Sequence, residues 1–272
     1  MSENRVERLL GTVGGAGKDL ITYLGGMGYL LKESLWYFAA LALGREGGRR
    51  GGSRALFFQM VRVGVRSIPI VSLVLFFVGM IIAFQMAYVL KGFGAPHAVP
   101  AVVGVAMLRE LGPLLTAIVL TGFAGASIAA EIGTMVVSEE ILALESEALN
   151  PVRFLVMPRV MATALMLLCL TIFANFVGIL GGFTVSGLVL NMSPNFYYAK
   201  TVEFLKVQDL LTGLIKSVVF GVLIALIACQ EGLRVKGGAE GVGRATTLAV
   251  VYGIVALIST DLFFSWLFYK VL

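Results

Sequence analysis

Charge is scarce in this chain. Asp, Glu, Lys and Arg make up 14% of its 272 residues, against 58% hydrophobic, where a soluble domain carries about a quarter charged. A water-soluble core cannot hide that much apolar side chain, so the sequence predicts an integral membrane protein. Histidine is almost missing: His97 is the only one, and nothing near it completes a metal-ligand set. No Ser/His/Asp or Cys/His arrangement and no paired-carboxylate site can be assembled, so an enzyme is not expected. Cys169 and Cys229 both fall in apolar runs, which excludes a disulfide framework and leaves the redox compartment open. The charged opening MSENRVERLL is followed by no short apolar core with a small-residue cleavage site. No cleavable signal peptide is expected, and the first span would serve as an uncleaved insertion signal. The run Gly14–Lys18 resembles a phosphate-binding loop, but Thr12 stands where its first Gly belongs and Asp19 where Ser or Thr belongs. No nucleotide site is therefore expected on this chain. The net charge of +5 reads as loop orientation rather than nucleic-acid binding.

What is present centres on Gly122–Arg159. Its first third is small and apolar: Gly122, Ala126 and Ala130 share one helical line, and Gly125, Ala129 and Gly133 the next. Such residues let helix backbones approach inside a bilayer. Ser138-Glu139-Glu140 then reads as a helix start, a capping hydroxyl with acids at the positive end of the dipole. Ile141, Leu144, Glu145 and Ala148 follow at helical spacing, and Asn150-Pro151 and Pro158 close the segment. A short acidic helix over 138–149 is thus predicted between two spans. Its four glutamates would be repelled by an anionic inner leaflet, so it fits a docking helix for a cytoplasmic protein better than one lying on the membrane.

Five spans satisfy the length criterion: Ile68–Leu90, Ala98–Ala130, Val160–Leu190, Leu210–Cys229 and Leu248–Phe268. Residues 1–66 form a lead-in, and 67–272 the domain that carries the five spans. In the lead-in, Leu20, Leu24, Met27, Leu31, Leu35 and Phe38 recur at three- and four-residue steps while Lys18, Asp19, Lys32 and Glu33 lie off that line. This predicts an interfacial amphipathic helix, followed by a flexible basic linker over Gly44–Arg54. Ten Lys/Arg precede Ile68, and Arg153, Arg159, Arg234, Lys236 and Arg244 fall on the same side. Only Lys91, Lys200, Lys206 and Lys270 fall opposite. The N-terminus and the acidic helix are therefore expected in the cytoplasm, the C-terminus outside, and Phe196, Tyr197 and Tyr198 at the outer interface as an anchor.

Ionisable groups at membrane depth are functional hypotheses. Arg109 and Glu110 are adjacent and point in different directions on a helix. Lys216 is a candidate partner for Glu110, and Asp261 for Arg109 or for a freed backbone group. Pro113 removes a hydrogen bond one turn back and kinks the second span. These groups either meet a charged headgroup in a cavity or lock helices together; both readings stay open at this point. Gln85 and Asn175 read as interhelical hydrogen bonds.

The run Met107–Pro113 (MLRELGP), the runs Ala129–Met135 (AAEIGTM) and Glu139–Glu145 (EEILALE), and the pairs Asn150-Pro151 and Pro158-Arg159 resemble the MlaE/YrbE family of ABC permeases. Leu214–Phe220, Gly243–Thr247 and Asp261 extend the resemblance, which covers roughly residues 45–272. It implies an all-α polytopic membrane protein, with an N-terminal interfacial helix, five transmembrane helices and a cytoplasmic coupling helix. It also implies a homodimeric, inner-membrane subunit that moves phospholipid between inner and outer membranes. The partners implied are a cytoplasmic MlaF-like ATPase carrying ATP and Mg, an MlaD-like MCE-domain ring outside and, in many systems, an MlaB-like STAS protein. No cofactor is expected on this chain. Arg109, Glu110 and Lys216 match the polar region of the lipid pocket. Ser138, Glu139, Glu140, Ile141, Leu144 and Glu145 match the coupling helix. Thr121-Gly122-Phe123 replaces the usual Ala-Gly-Arg, Leu142 a usual Asp, and Glu147-Ala148 a usual Met-Gly; these departures bear on the details of the ATPase contact. Acyl tails are expected against Leu75, Phe76, Met80 and Ile82. Two rivals stand beside this reading: a proton-driven transporter using Glu110 and Asp261 as relay carboxylates, and a purely structural anchor for an MCE ring.

Overall fold

Apolar sequence with few charges leaves each span to satisfy its own backbone, and in a bilayer the helix does so most simply. A computed structural model describes residues 3–42 and 49–271, with side chains described at 18, 21–40 and 54–270. Among the described residues there is no strand. The order is α1 (Glu3–Ala42), α2 (Arg49–Val63), α3 (Ile68–Gly92), α4 (Val99–Ala106), α5 (Gly112–Leu120), α6 (Ala126–Val137), α7 (Glu140–Ser146), α8 (Met157–Leu190), α9 (Pro194–Phe204), α10 (Val207–Leu233) and α11 (Gly238–Val271). Five stretches are long and apolar enough to cross a membrane: Arg54–Gly92, Pro96–Val137, Val152–Leu190, Val207–Leu233 and Gly238–Lys270. The all-α, five-span architecture is as the sequence predicts.

The second span is where helical regularity gives way. Met107–Leu111 and Thr121–Gly125 are π-helical turns, and Val152–Val156 opens the third span in the same way. Pro113 explains the first. It offers no N–H to the carbonyl of Arg109, and the Gly112 N–H reaches back five residues to Met107. Pro158 stands in the same relation to the third turn, where the Met157 N–H bonds Val152. The kink expected at Pro113 is thus a widened turn.

α8 runs through the centre. On one side it packs with α5, α6 and α10 around Leu120, Ile132, Leu167, Phe220 and Ile224; on the other it packs α3 and α4 around Val71, Leu75, Val103 and Met107. Glycine makes the α3–α8 approach possible. A methyl group on Gly79 would collide with the Gly178 carbonyl, and one on Gly181 with the Phe76 carbonyl. Of the two small-residue lines in the second span, Gly125, Ala129 and Gly133 form the buried one, facing Ile224, Val235 and Val242. Gly122 has no neighbour within 4 Å.

α1 docks at the end of the bundle that carries α7. Its packed face is shifted from the expected stripe. Leu30 and Ser34 are buried, and Met27, Leu31, Tyr37 and Phe38 pack on the core, while Leu24 and Leu35 are exposed. Leu20 lies outside the described side chains. Tyr23 lies under the Arg234 guanidinium at 5.4 Å and edge-on to Tyr252; burial and the neighbouring Glu231 push its phenol well above the ordinary range. The basic linker expected over Gly44–Arg54 is helical from Arg49 onward, and positions 43–48 lie outside the described residues. Asn175 is buried yet makes no hydrogen bond, and Gln85 is exposed on α3, so neither supplies the interhelical bond expected of it. Tyr197 does supply one, its hydroxyl donating to the Ile179 carbonyl at 3.1 Å; burial raises that phenol to about 12.

Candidate functional site

Three helices bring three charged residues together in the half of the bundle away from α7. Lys216 of α10 is 1% exposed, a position an ammonium group holds only when its protons are taken up. Nζ donates to Glu110 Oε2 at 2.6 Å and to Ser265 Oγ at 2.9 Å, and it pairs with Asp261 Oδ1 at 2.9 Å. Ser265 in turn donates to Glu110 Oε1 at 2.9 Å. Two ammonium protons are thus given to oxygen, and Asp261 adds a second negative charge as an ion pair without a hydrogen bond. Glu110 is therefore the Lys216 partner the sequence suggested. Asp261 is not the partner of Arg109; it lies across the same lysine. Arg109 instead pairs with Asp209 at 3.2 Å. Asp209 also caps α10, accepting the Lys206 N–H at 3.0 Å.

The group borders a cavity of about 270 Å³, walled by Val105, Ala106 and Thr212 and by the aromatic rings of Phe268 and Tyr269. Arg109 and Glu110 both line it, each with 42% of its side chain exposed. The π turn at Met107–Leu111 carries both. Two cations and three carboxylates thus share one site, with the lysine spent on helix contacts and a guanidinium and a carboxylate left facing the opening. Such a surface can hold a zwitterionic headgroup beside apolar walls. Leu75, Phe76, Met80 and Ile82 do not border this cavity. Leu75 is fully buried between α3 and α8, which removes it as a surface for acyl tails; the other three are half-buried.

At the opposite end, α7 spans Glu140–Ser146, shorter than predicted. Ser138 is not its N-cap. It ends α6, its single hydroxyl proton within reach of the Thr134 carbonyl at 3.0 Å or of Glu140 Oε1 at 3.1 Å. Glu139 takes the cap position with φ of 60°. Glu139, Glu140 and Glu145 are exposed, Leu142 is 60% exposed, and Ile141 and Leu144 turn inward, Ile141 against the core. Below α7 lies a charge cluster absent from the sequence reading. Glu131 of α6 forms ion pairs with Arg62 at 2.7 Å and Arg159 at 3.1 Å. Arg62 also donates to Ser127 at 3.2 Å, and the 4%-exposed Arg159 donates to the Leu155 carbonyl at 2.7 Å. The available signal was a lone carboxylate in the apolar run Ala129–Met135, which needs a buried cation. Among the described residues no group of three His, Cys, Asp or Glu could hold a metal ion.

The sequence model described as Permease MlaE matches residues 56–267. A probable ABC transporter permease protein of Rickettsia typhi is 37% identical over 213 residues, 78% of this chain and 82% of the relative. Another, from Synechocystis, is 41% identical over 212 residues, 78% of this chain and 81% of the relative. A chloroplast protein of Arabidopsis thaliana, TRIGALACTOSYLDIACYLGLYCEROL 1, is 35% identical over 212 residues, 78% of this chain and 61% of its own length.

Proposed function

The chain belongs to the MlaE permease family of ABC transporters, and from that membership we propose that its cargo is phospholipid, moved between the inner and outer membranes of a bacterial envelope. As the multi-pass permease of an ABC system it works with an ATPase. The rest is our reading. Two copies form the transmembrane unit in the inner membrane, with the N-terminus and α7 in the cytoplasm and the C-terminus in the periplasm. α7 docks on an MlaF-like ATPase, which holds ATP and Mg and can carry an MlaB-like STAS protein. An MlaD-like MCE ring receives or delivers lipid outside, and the flux helps maintain outer-membrane lipid asymmetry.

The observation that carries this reading is the cavity that Arg109 and Glu110 share. It joins an exposed cation and anion to apolar walls, as a phospholipid headgroup and its acyl chains require, and it lies in the half of the bundle away from α7. That one relative bears the name of trigalactosyldiacylglycerol supports a lipid cargo. The ATPase stroke pushes on Glu139–Glu145, tilts the spans and empties the cavity. The test is a photo-crosslinking residue at Val105 in proteoliposomes. Phospholipid adducts are expected; a clean absence of lipid adducts would sink the cargo assignment.

A further inference from the structure

A second concavity, of about 140 Å³, lies between the end of α2 and the π turn Thr121–Gly125, in the half of the bundle that carries α7. Gln59, Arg62 and Arg66 line it, with Phe123 and Ser127 across from them. Its charge is unbalanced. Arg62 and Arg159 share the single carboxylate of Glu131, and Arg66 has no carboxylate partner among the described residues. The next acid, Glu140, lines a separate concavity with Arg62 and Glu131. Gln59 is 7% exposed and its Oε1 accepts no hydrogen bond, so a buried acceptor stands unused beside two guanidinium groups. Phe123 is 42% exposed at the edge.

Guanidinium pairs bind phosphate through charge-assisted forks, and basic pockets between helices on the cytoplasmic side hold lipid headgroups. We propose that this groove binds a glycerophospholipid of the cytoplasmic leaflet. Its phosphodiester lies on Arg62 and Arg66, an N–H or O–H of its headgroup donates to Gln59, and its acyl chains run past Phe123. Only the choice of leaflet rests on the orientation proposed above. The site is separate from the cavity at Lys216 and prefers headgroups that carry a donor, such as ethanolamine or glycerol, over choline.

The test uses the full-length protein in detergent with p-benzoylphenylalanine in place of Phe123, labelled with dioleoyl phosphatidylethanolamine, phosphatidylcholine or dioleoylglycerol. Phosphatidylethanolamine should label about fivefold above dioleoylglycerol, with phosphatidylcholine between them. Arg66→Gln should bring phosphatidylethanolamine down to the dioleoylglycerol level, Arg66→Lys should preserve part of the difference, and Gln59→Leu should bring it to the phosphatidylcholine level. Equal labelling of the three lipids, or no effect of Arg66→Gln, overturns the proposal. Loss of all lipid labelling under excess inorganic phosphate also overturns it, assigning the groove to a free anion. Labelling at Val105 reports the cargo cavity independently, so failure of one leaves the other standing.

Discussion

Arg62 and Glu131 meet at 2.7 Å, and Arg159 approaches the same carboxylate oxygen at 3.1 Å. α6 leads into α7, and Arg159 opens the span that leaves it. One oxygen therefore ties α2 to both arms that hold the exposed acidic helix. In the coupling proposed above, a displacement of α7 would pull on α2 and, through it, on α3.

Glu131→Gln should loosen this joint. Arg159 would then be buried without a counter-charge. The cost is about 2 kcal/mol, below that of a fully buried pair because Arg62 and Glu131 are each about a third exposed. A lower melting temperature in detergent is expected, with ATPase binding retained and ATP-driven lipid movement reduced. An unchanged melting temperature would show that the cluster holds nothing together.

Replacing Lys216 alone by Met should destabilise the protein, because Glu110 and Asp261 lose their shared cation. The triple change Lys216→Met, Glu110→Gln, Asp261→Asn removes all three charges, and it should restore the melting temperature without restoring lipid transport. Recovery of transport in the triple variant would reduce the cluster to a helix lock. Transport by the purified protein in a proton gradient without ATP would instead favour the relay-carboxylate rival.

The α3–α8 contact should tolerate no side chain. Gly79→Leu would drive carbon atoms into the Gly178 backbone, and accumulation in membranes should fall severalfold. Gly187→Ala, with nothing within 4 Å, is the matched control and should accumulate normally.

On α7, Glu140→Lys with Glu145→Lys should abolish co-purification with the ATPase while leaving the melting temperature within about 2 °C, since both side chains are exposed. Ile141→Asp should do the reverse damage, because Ile141 packs against the core.

Much of this architecture is legible in one sequence. Apolar runs of membrane length mark all five spans, and a charged segment between Val137 and Pro151 marks α7. The Glu110–Lys216 pairing follows from the cost of two isolated charges at depth. Other features escape because they depend on how helices cross. Arg109 finds Asp209, which reads as a loop residue until its place at the head of α10 is seen. Asp261 and Glu110 converge on one lysine only once α11 lies beside α10. Ser138 has the composition of an N-cap, but it completes α6, and Glu139 turns the chain with a positive φ that no pattern of polar residues announces. The π turn at Met107–Leu111 is foreshadowed by Pro113, yet its effect, two adjacent charges on one cavity, is a matter of backbone geometry.

The measurement that bears most directly on the coupling of α7 to the cavity is lipid photo-crosslinking from Thr212, on the cavity wall, in proteoliposomes containing the ATPase. Trapping the ATP-bound state should lower phospholipid labelling severalfold in the wild-type protein and leave it unchanged in the Glu140→Lys, Glu145→Lys variant. Equal labelling with and without ATP in the wild-type protein would contradict the account.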